Sequence, residues 1–556
     1  MTNLVRFTLC TTILLTVTAG RATAQQSSFA QQLPDRVAAL LHVSDAETLR
    51  SRFGESAWGR LLADPSVVEF RDDLLTKLAA RNKTLPVTDL LGGLAGEVGI
   101  ALMQPEGGST AFAASLGFAE QATLDSLIES ITDRATSGTS PKTVRETTHN
   151  STAITVILTK PTDSPVAAEQ AFAVRGQRLI ASNSLTLLRQ ILDREGAGTG
   201  GSFAENSRWK QIAAATQDAD RVPAVRWYLD PVGFLQNAVP PNLAKTLESQ
   251  ELSRLQAIGG SIDFATGTYD TISRTVGLVE SPVSGILGLL KFPVEETAIP
   301  DWVPNNVSGC LVLNWDAESG WLSLRGLADE LLGPGKFERA VTALANDSDG
   351  PMIHIGNDLF GQLTGRLIVI QSPPQAGDQF KDGATLLSAD VKDEDTAAAI
   401  FDRLAKLESD RIKTQIVAGQ TAVSYSGRSG KTVHIALSGG RLLVSESEGL
   451  LVQLMTPNPT NVTLVTSEDH LKLSPYLPGR SSMVGIQRST EQLQAMYAVL
   501  KASDSQGDSA PDLSLLPPFE QIRHHFLPTA TYATVAPNVS GFQYVSFTLA
   551  PNVEAE

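Results

Sequence analysis

Along this chain, short apolar runs are divided by glycine-centred turns. They are followed by segments in which apolar residues recur every three or four positions. The first pattern predicts β-hairpins; the second predicts helices with one apolar face. The pattern predicts a strand over Val37–Val43, then a helix that Ser44 or Asp45 caps and that runs to about Phe53. Asp64-Pro65 restarts helix, with Val68, Leu74, Leu75 and Leu78 as its stripe. Strands are predicted at 97–102, 110–116 and 154–158, with a helix through Leu124, Leu127, Ile128 and Ile131 between the last two. A hairpin over 173–184, a helix over 185–192, a strand at 225–229, a helix over 244–255 and a strand pair over 258–279 complete the series.

The series then restarts. Ala173-Val-Arg-Gly-Gln-Arg-Leu-Ile-Ala-Ser-Asn-Ser184 and Ala436-Leu-Ser-Gly-Gly-Arg-Leu-Leu-Val-Ser-Glu-Ser447 share six of twelve positions. Asp89-Leu-Leu-Gly-Gly-Leu-Ala-Gly96 is echoed by Asp358-Leu-Phe-Gly-Gln-Leu-Thr-Gly365, and Asp316 stands where Asp45 stood. Strands at 307–313, 385–391, 416–425, 483–486, 529–535 and 542–549 fall in the same order, and Ile400, Leu404 and Leu407 form the same stripe as Leu124 to Ile131. A period of about 265 residues is far longer than that of solenoid repeats. The expectation is an α+β fold made by tandem duplication of a mainly antiparallel sheet unit with helices packed on one face. The units are placed at 33–298 and 299–551, after a polar lead-in at 25–32 and before a tail at 552–556.

The N-terminus changes the picture of location. Arg6, the apolar run Phe7–Val17 and Ala22-Thr23-Ala24 form a secretory signal peptide over 1–24, with cleavage expected between Ala24 and Gln25. The apolar run is too short to span a hydrocarbon core of ~30 Å. The mature chain is therefore expected to be exported, periplasmic or extracellular, without stable membrane insertion. Loss of Arg6 and Arg21 takes the net charge from -16 to -18, which argues against nucleic acid as a partner. After cleavage Cys310 is the remaining cysteine, set in an apolar run that suits a buried small hydrophobe.

Chemical motifs are sparse. Tyr425-Ser-Gly-Arg-Ser-Gly-Lys-Thr432 ends like a phosphate-binding loop, but Tyr425 stands where a glycine is needed and Val433–Leu437 alternates like a strand. Asp347-Ser-Asp-Gly350 resembles the start of a calcium loop, yet Gly356 occupies the position of the closing Glu. His524 and His525 are adjacent, and side chains about 100° apart on a helix do not readily share one metal. Arg178 and Arg441, in matching places, are read as a salt bridge or a solvated strand end. Asp393 or Asp395 is read as a helix cap. No catalytic residue, cofactor or metal ligand is assigned.

The opening Leu33-Pro-Asp-x-Val37, with the capping Ser44-Asp45 and Arg52-Phe-Gly-Glu-Ser-Ala-Trp-Gly-Arg-Leu-Leu-Ala-Asp-Pro65, resembles a family of exported bacterial proteins of unknown function that is abundant in planctomycetes. The resemblance implies export and assigns no activity. The expected function is a non-enzymatic binding or scaffold module of the periplasm or cell envelope with an unidentified protein or envelope partner. The alternatives are a hydrolase of envelope or extracellular polymers and a carrier of an apolar ligand, which would need an apolar cavity between sheet and helices.

Overall fold

The structure is a computed structural model. It describes residues 28–551 apart from 82–91, 105–109, 138–142, 160–167, 196–200, 219–220, 239–251, 284, 347–351, 374–382, 408–410, 428–430, 457–461, 489, 491–492, 495–496, 499–500 and 502–510. The signal peptide, its cleavage site at Ala24 and Gln25, and the tail lie outside the described residues, as does most of the helix expected over 244–255.

Among the described residues, twenty strands form one antiparallel sheet. In the first half they are β1 (Val37–Val43), β2 (Leu94–Met103), β3 (Phe112–Phe118), β4 (Thr143–His149), β5 (Thr152–Thr159), β6 (Ala168–Arg175), β7 (Arg178–Ser182), β8 (Val225–Leu229), β9 (Leu255–Phe264) and β10 (Tyr269–Val279). In the second half they are β11 (Gly309–Asn314), β12 (Leu363–Ser372), β13 (Ala384–Val391), β14 (Ile412–Val417), β15 (Gln420–Ser426), β16 (Thr432–Ser438), β17 (Arg441–Ser445), β18 (Met483–Gln487), β19 (Thr529–Val535) and β20 (Gly541–Leu549). In space the first half runs β4-β5-β6-β7-β3-β2-β1-β8-β9-β10. The second half continues from β10 as β20-β19-β18-β11-β12-β13-β17-β16-β15-β14. Each strand of the first half thus has its counterpart ten numbers later, with the same neighbours, and the α+β class with an antiparallel sheet is as the sequence patterns suggest.

The halves join edge to edge through β10 and β20, from Tyr269 opposite Leu549 to Leu278 opposite Gly541. In the first half Ile262 faces Ser273; in the second, Ala533 faces Tyr544. That register carries Arg274 onto Val545, and these two residues face one another across the seam. The Arg274–Val545 pair therefore stands on a pseudo-twofold axis. The cores also cross the seam. Ala536 of the second half packs with Val276 and Leu278, and Ile272 of the first packs with Val545 and Phe547. Gly541, at φ 151°, has its missing side chain aimed at Gly277 O, which a Cβ would meet at 1.9 Å.

The helices, expected on one face, are divided between both. In the first half α1 (Phe29–Gln32), α2 (Ala46–Glu55), α3 (Ala57–Ala63), α4 (Pro65–Arg81), α5 (Gln121–Ser137), α6 (Leu185–Arg194) and α7 (Ser207–Ala215) are followed by α8 (Ala317–Leu332), α9 (Glu394–Ala405), α10 (Glu448–Met455) and α11 (Glu468–Leu473) in the second. α1, α6 and α7 cover one face through Phe29, Leu188, Ile191 and Ile212. α2 and α5 cover the other through Leu49, Leu124 and Leu127. The cause is visible in single strands: neighbouring Leu179 and Ile180, which point to opposite faces, are both buried, so each face needs a cover. The lead-in also departs from expectation. Phe29 is 0 % exposed and sits over Gly99, where a Cβ would come within 2.2 Å of its ring.

Candidate functional site

The second half repeats the core beneath α1, α6 and α7 with Cys310, Ile368, Leu386, Leu443, Leu450 and Leu473. On the opposite face it is open. The Asp393 side chain accepts a hydrogen bond from Thr396 N at 2.7 Å and starts α9. α9 then turns Ala397, Ile400, Phe401 and Leu404 toward the sheet, where Val391, Leu437 and Leu442 form a floor. Leu359, Phe360 and Leu363 close one side. The slot is partly open to solvent, has a volume of about 240 Å³, and its lining is almost all carbon.

Register identifies the same place in the first half. Leu442 on β17 faces Ala389 on β13 and Leu437 on β16, as Leu179 on β7 faces Leu116 on β3 and Val174 on β6. α5 and α9 each begin three residues after the last residue of β3 and β13, which aligns Leu124, Leu127, Ile128 and Ile131 with Ala397, Ile400, Phe401 and Leu404. In the first half Leu124 and Leu127 are buried in the core, Leu124 at 0 % exposure, with Ile128 and Ile131 packed against it. Leu116, Phe118 and Leu124 are replaced by Ala389, Val391 and Ala397, all smaller; Ile128 is replaced by the larger Phe401. Phe401, and Leu437 in place of Val174, restore part of the lost volume, and the unfilled remainder is the slot.

Polar groups stand at the mouth. Asp358 Oδ2 accepts from His354 N at 3.0 Å and from Arg403 Nη2 at 3.4 Å. Lys392 Nζ donates to Gly361 O at 3.0 Å. Phe360 lies between Trp315 and Trp321, with ring centroids 5.8 Å and 5.1 Å away. The site is thus an apolar slot with charged groups at its rim and tryptophans behind one wall.

The residues singled out in the sequence have structural places. Arg178 is buried; it donates to Glu195 Oε1 at 2.8 Å and to Gln32 Oε1 at 3.1 Å. Arg441 lies over the Trp302 ring at 4.1 Å, and burial lowers its pKa against the pull of Asp390. Burial raises the Asp390 carboxyl. Cys310 is buried, and desolvation pushes its thiol up to about 12. Around the phosphate-loop look-alike, Tyr425 pairs with Val433 and Ser426 with Thr432, as in a hairpin; residues 428–430 lie outside the described residues. So does the calcium-loop look-alike, 347–350. His524 and His525 come together with Asp64, a contact that the sequence did not suggest. The slot was not assigned either, although setting Leu124 beside Ala397 in the repeat alignment carries its signal.

The fold and this slot define an α+β protein with one large antiparallel sheet and an almost wholly apolar recess in its second half. No family model matches the chain, and no curated protein matches it. Among solved structures it is similar to crystal form III of the Treponema protein TP0453, at 7% identity and a TM-score of 0.25, over 50% of this chain and 91% of that one. A likeness at that level carries no argument about fold or activity. Among the described residues no helix is long and apolar enough to cross a membrane.

Proposed function

We propose that this is an exported, non-enzymatic binding protein that takes an apolar ligand between α9 and the sheet of its second half. One observation carries the reading: where the first half packs the fully buried Leu124, the second half has Ala397 lining an almost wholly apolar slot. Its volume of about 240 Å³, partly open at the mouth, is large enough for a benzene-sized apolar group, which a cavity of ~150 Å³ can hold. A slender hydrocarbon, such as an acyl chain or a single ring with a short tail, fits that size. The charged groups at the mouth leave room for a polar head outside. Export rests on the N-terminal signal pattern.

Titration of the purified mature chain with medium-chain fatty acids, read through tryptophan emission, tests it. Trp315 and Trp321 report because Phe360 joins both to the slot. Saturable binding is expected, and Ala397→Leu, which restores the residue found in the first half, is expected to abolish it. Absence of saturation, or undiminished binding by Ala397→Leu, would overturn the reading.

A further inference from the structure

Away from the slot, Asp64 meets His524 and His525 across 461 residues of sequence, with His525 Nε2 3.1 Å from Asp64 Oδ2. Asp64 ends α3 and precedes α4. The histidines come from a single turn over Arg523–His525. That turn is tighter than an α-helix, and the two imidazoles lie together rather than apart, with centroids 3.9 Å apart and planes at 40°. One donor atom from each of the three side chains lies within 4.8 Å of the others.

The elements that bring these donors are held by apolar packing. Val67 of α4 packs with Phe519 and Ile522. Trp58 of α3 meets Phe526 edge-on at 5.9 Å, and Phe519 stacks on Phe526 at 5.5 Å. The donor set is therefore pre-positioned before any ion arrives. Its exposure is graded: the His525 side chain is 7% exposed, that of Asp64 20%, and His524 is open to solvent.

The geometry points to a divalent transition-metal site of Asp64, His524 and His525, with zinc as the ion it suits. Two imidazoles and one carboxylate are a donor set for zinc. They are a poor one for magnesium or calcium, which take oxygen. Three protein ligands leave the fourth tetrahedral position to water on the His524 side. Asp64 Oδ1 accepts from Ser66 N at 2.9 Å and from Ser66 Oγ at 2.7 Å, so Oδ2 is the oxygen for the metal. An ion there would tie the N-terminal helices α3 and α4 to the segment before β19, one half of the molecule to the other.

The test is calorimetric titration of the metal-free full chain with zinc chloride, beside thermal unfolding with zinc, with magnesium and with a chelator. One equivalent of zinc is expected to bind and to raise the unfolding midpoint; magnesium is expected to do neither. His524→Ala removes an exposed side chain whose ring lies on His525, so the metal-free chain is expected to stay folded with a small shift of its midpoint, while zinc binding weakens by at least about tenfold. Asp64→Asn is expected to weaken it as well. No zinc binding, or binding that His524→Ala leaves intact, would overturn the assignment, since the ion would then sit elsewhere or nowhere.

Discussion

Ser182 and Ser184, with Ser445 and Ser447, divide one task in the same way in both halves. Ser184 Oγ accepts from Leu187 N at 3.3 Å, and Ser447 Oγ accepts from Leu450 N at 3.2 Å, so the second serine of each pair caps its helix. The first serine holds the turn: its Oγ donates to a carbonyl on the adjacent strand, Phe112 or Thr385, and accepts from the capping residue's own N–H. Replacing Ser184 or Ser447 with Ala should lower stability by about 1 kcal/mol each, read by urea denaturation, and the two losses should add because the sites are far apart. Cys310 makes a second prediction at this scale. With its thiol held up near 12 by burial, the thiolate that reacts with disulfide reagents is scarce in the folded chain. Ellman's reagent at about pH 8, close to the ordinary thiol pKa, should find no reactive group until denaturant is added. Rapid labelling of the native chain would refute the buried placement.

At the scale of elements, the slot beneath α9 sets a stability prediction against a binding one. Ala397→Leu should raise the unfolding free energy by about 1 kcal/mol, as cavity-filling substitutions do, in the same variant that loses fatty-acid binding. Most strands were legible in the sequence because their apolar runs end at glycine, proline or charge. Val225–Leu229 and Thr529–Val535 coincide with their expected bounds. Asp45, Asp316 and Asp393 cap their helices as their side-chain chemistry suggests. The helix Ser207–Ala215 was missed because Trp209, Ile212 and Ala215 give a sparse apolar stripe. The covering of both sheet faces was also missed, since periodicity says which residues share a face but not that both faces are buried. The contact of Asp64 with His525 joins positions 461 apart, and no local pattern reports a contact made by tertiary packing alone. The slot lies between these cases. Its helix stripe is plain, and its emptiness appears when the two copies are compared residue by residue.

At the scale of the molecule, the seam makes the halves one cooperative body. Nine facing residue pairs on β10 and β20 and two cores that each take residues from the other half leave no surface along which one half can melt alone without exposing a strand edge. Differential scanning calorimetry should show a single transition. Two well-separated transitions would refute the shared core.

The Arg274–Val545 pair on the axis has one more consequence. A symmetric dimer must place the same residue on both sides of its axis, whereas a single chain can place different ones there. A first half that paired with another copy of itself would set Arg274 against Arg274, two like charges directly opposite that a single Asp218 at 3.3 Å only partly offsets in each copy, which is destabilising. Fragment 25–298, produced separately and mixed with 299–551, should therefore choose 299–551 over a second copy of itself, and Arg274→Val should let it self-associate. Size-exclusion chromatography of the mixtures would show it. The position closest to perfect symmetry is the one at which the first half tells self from other.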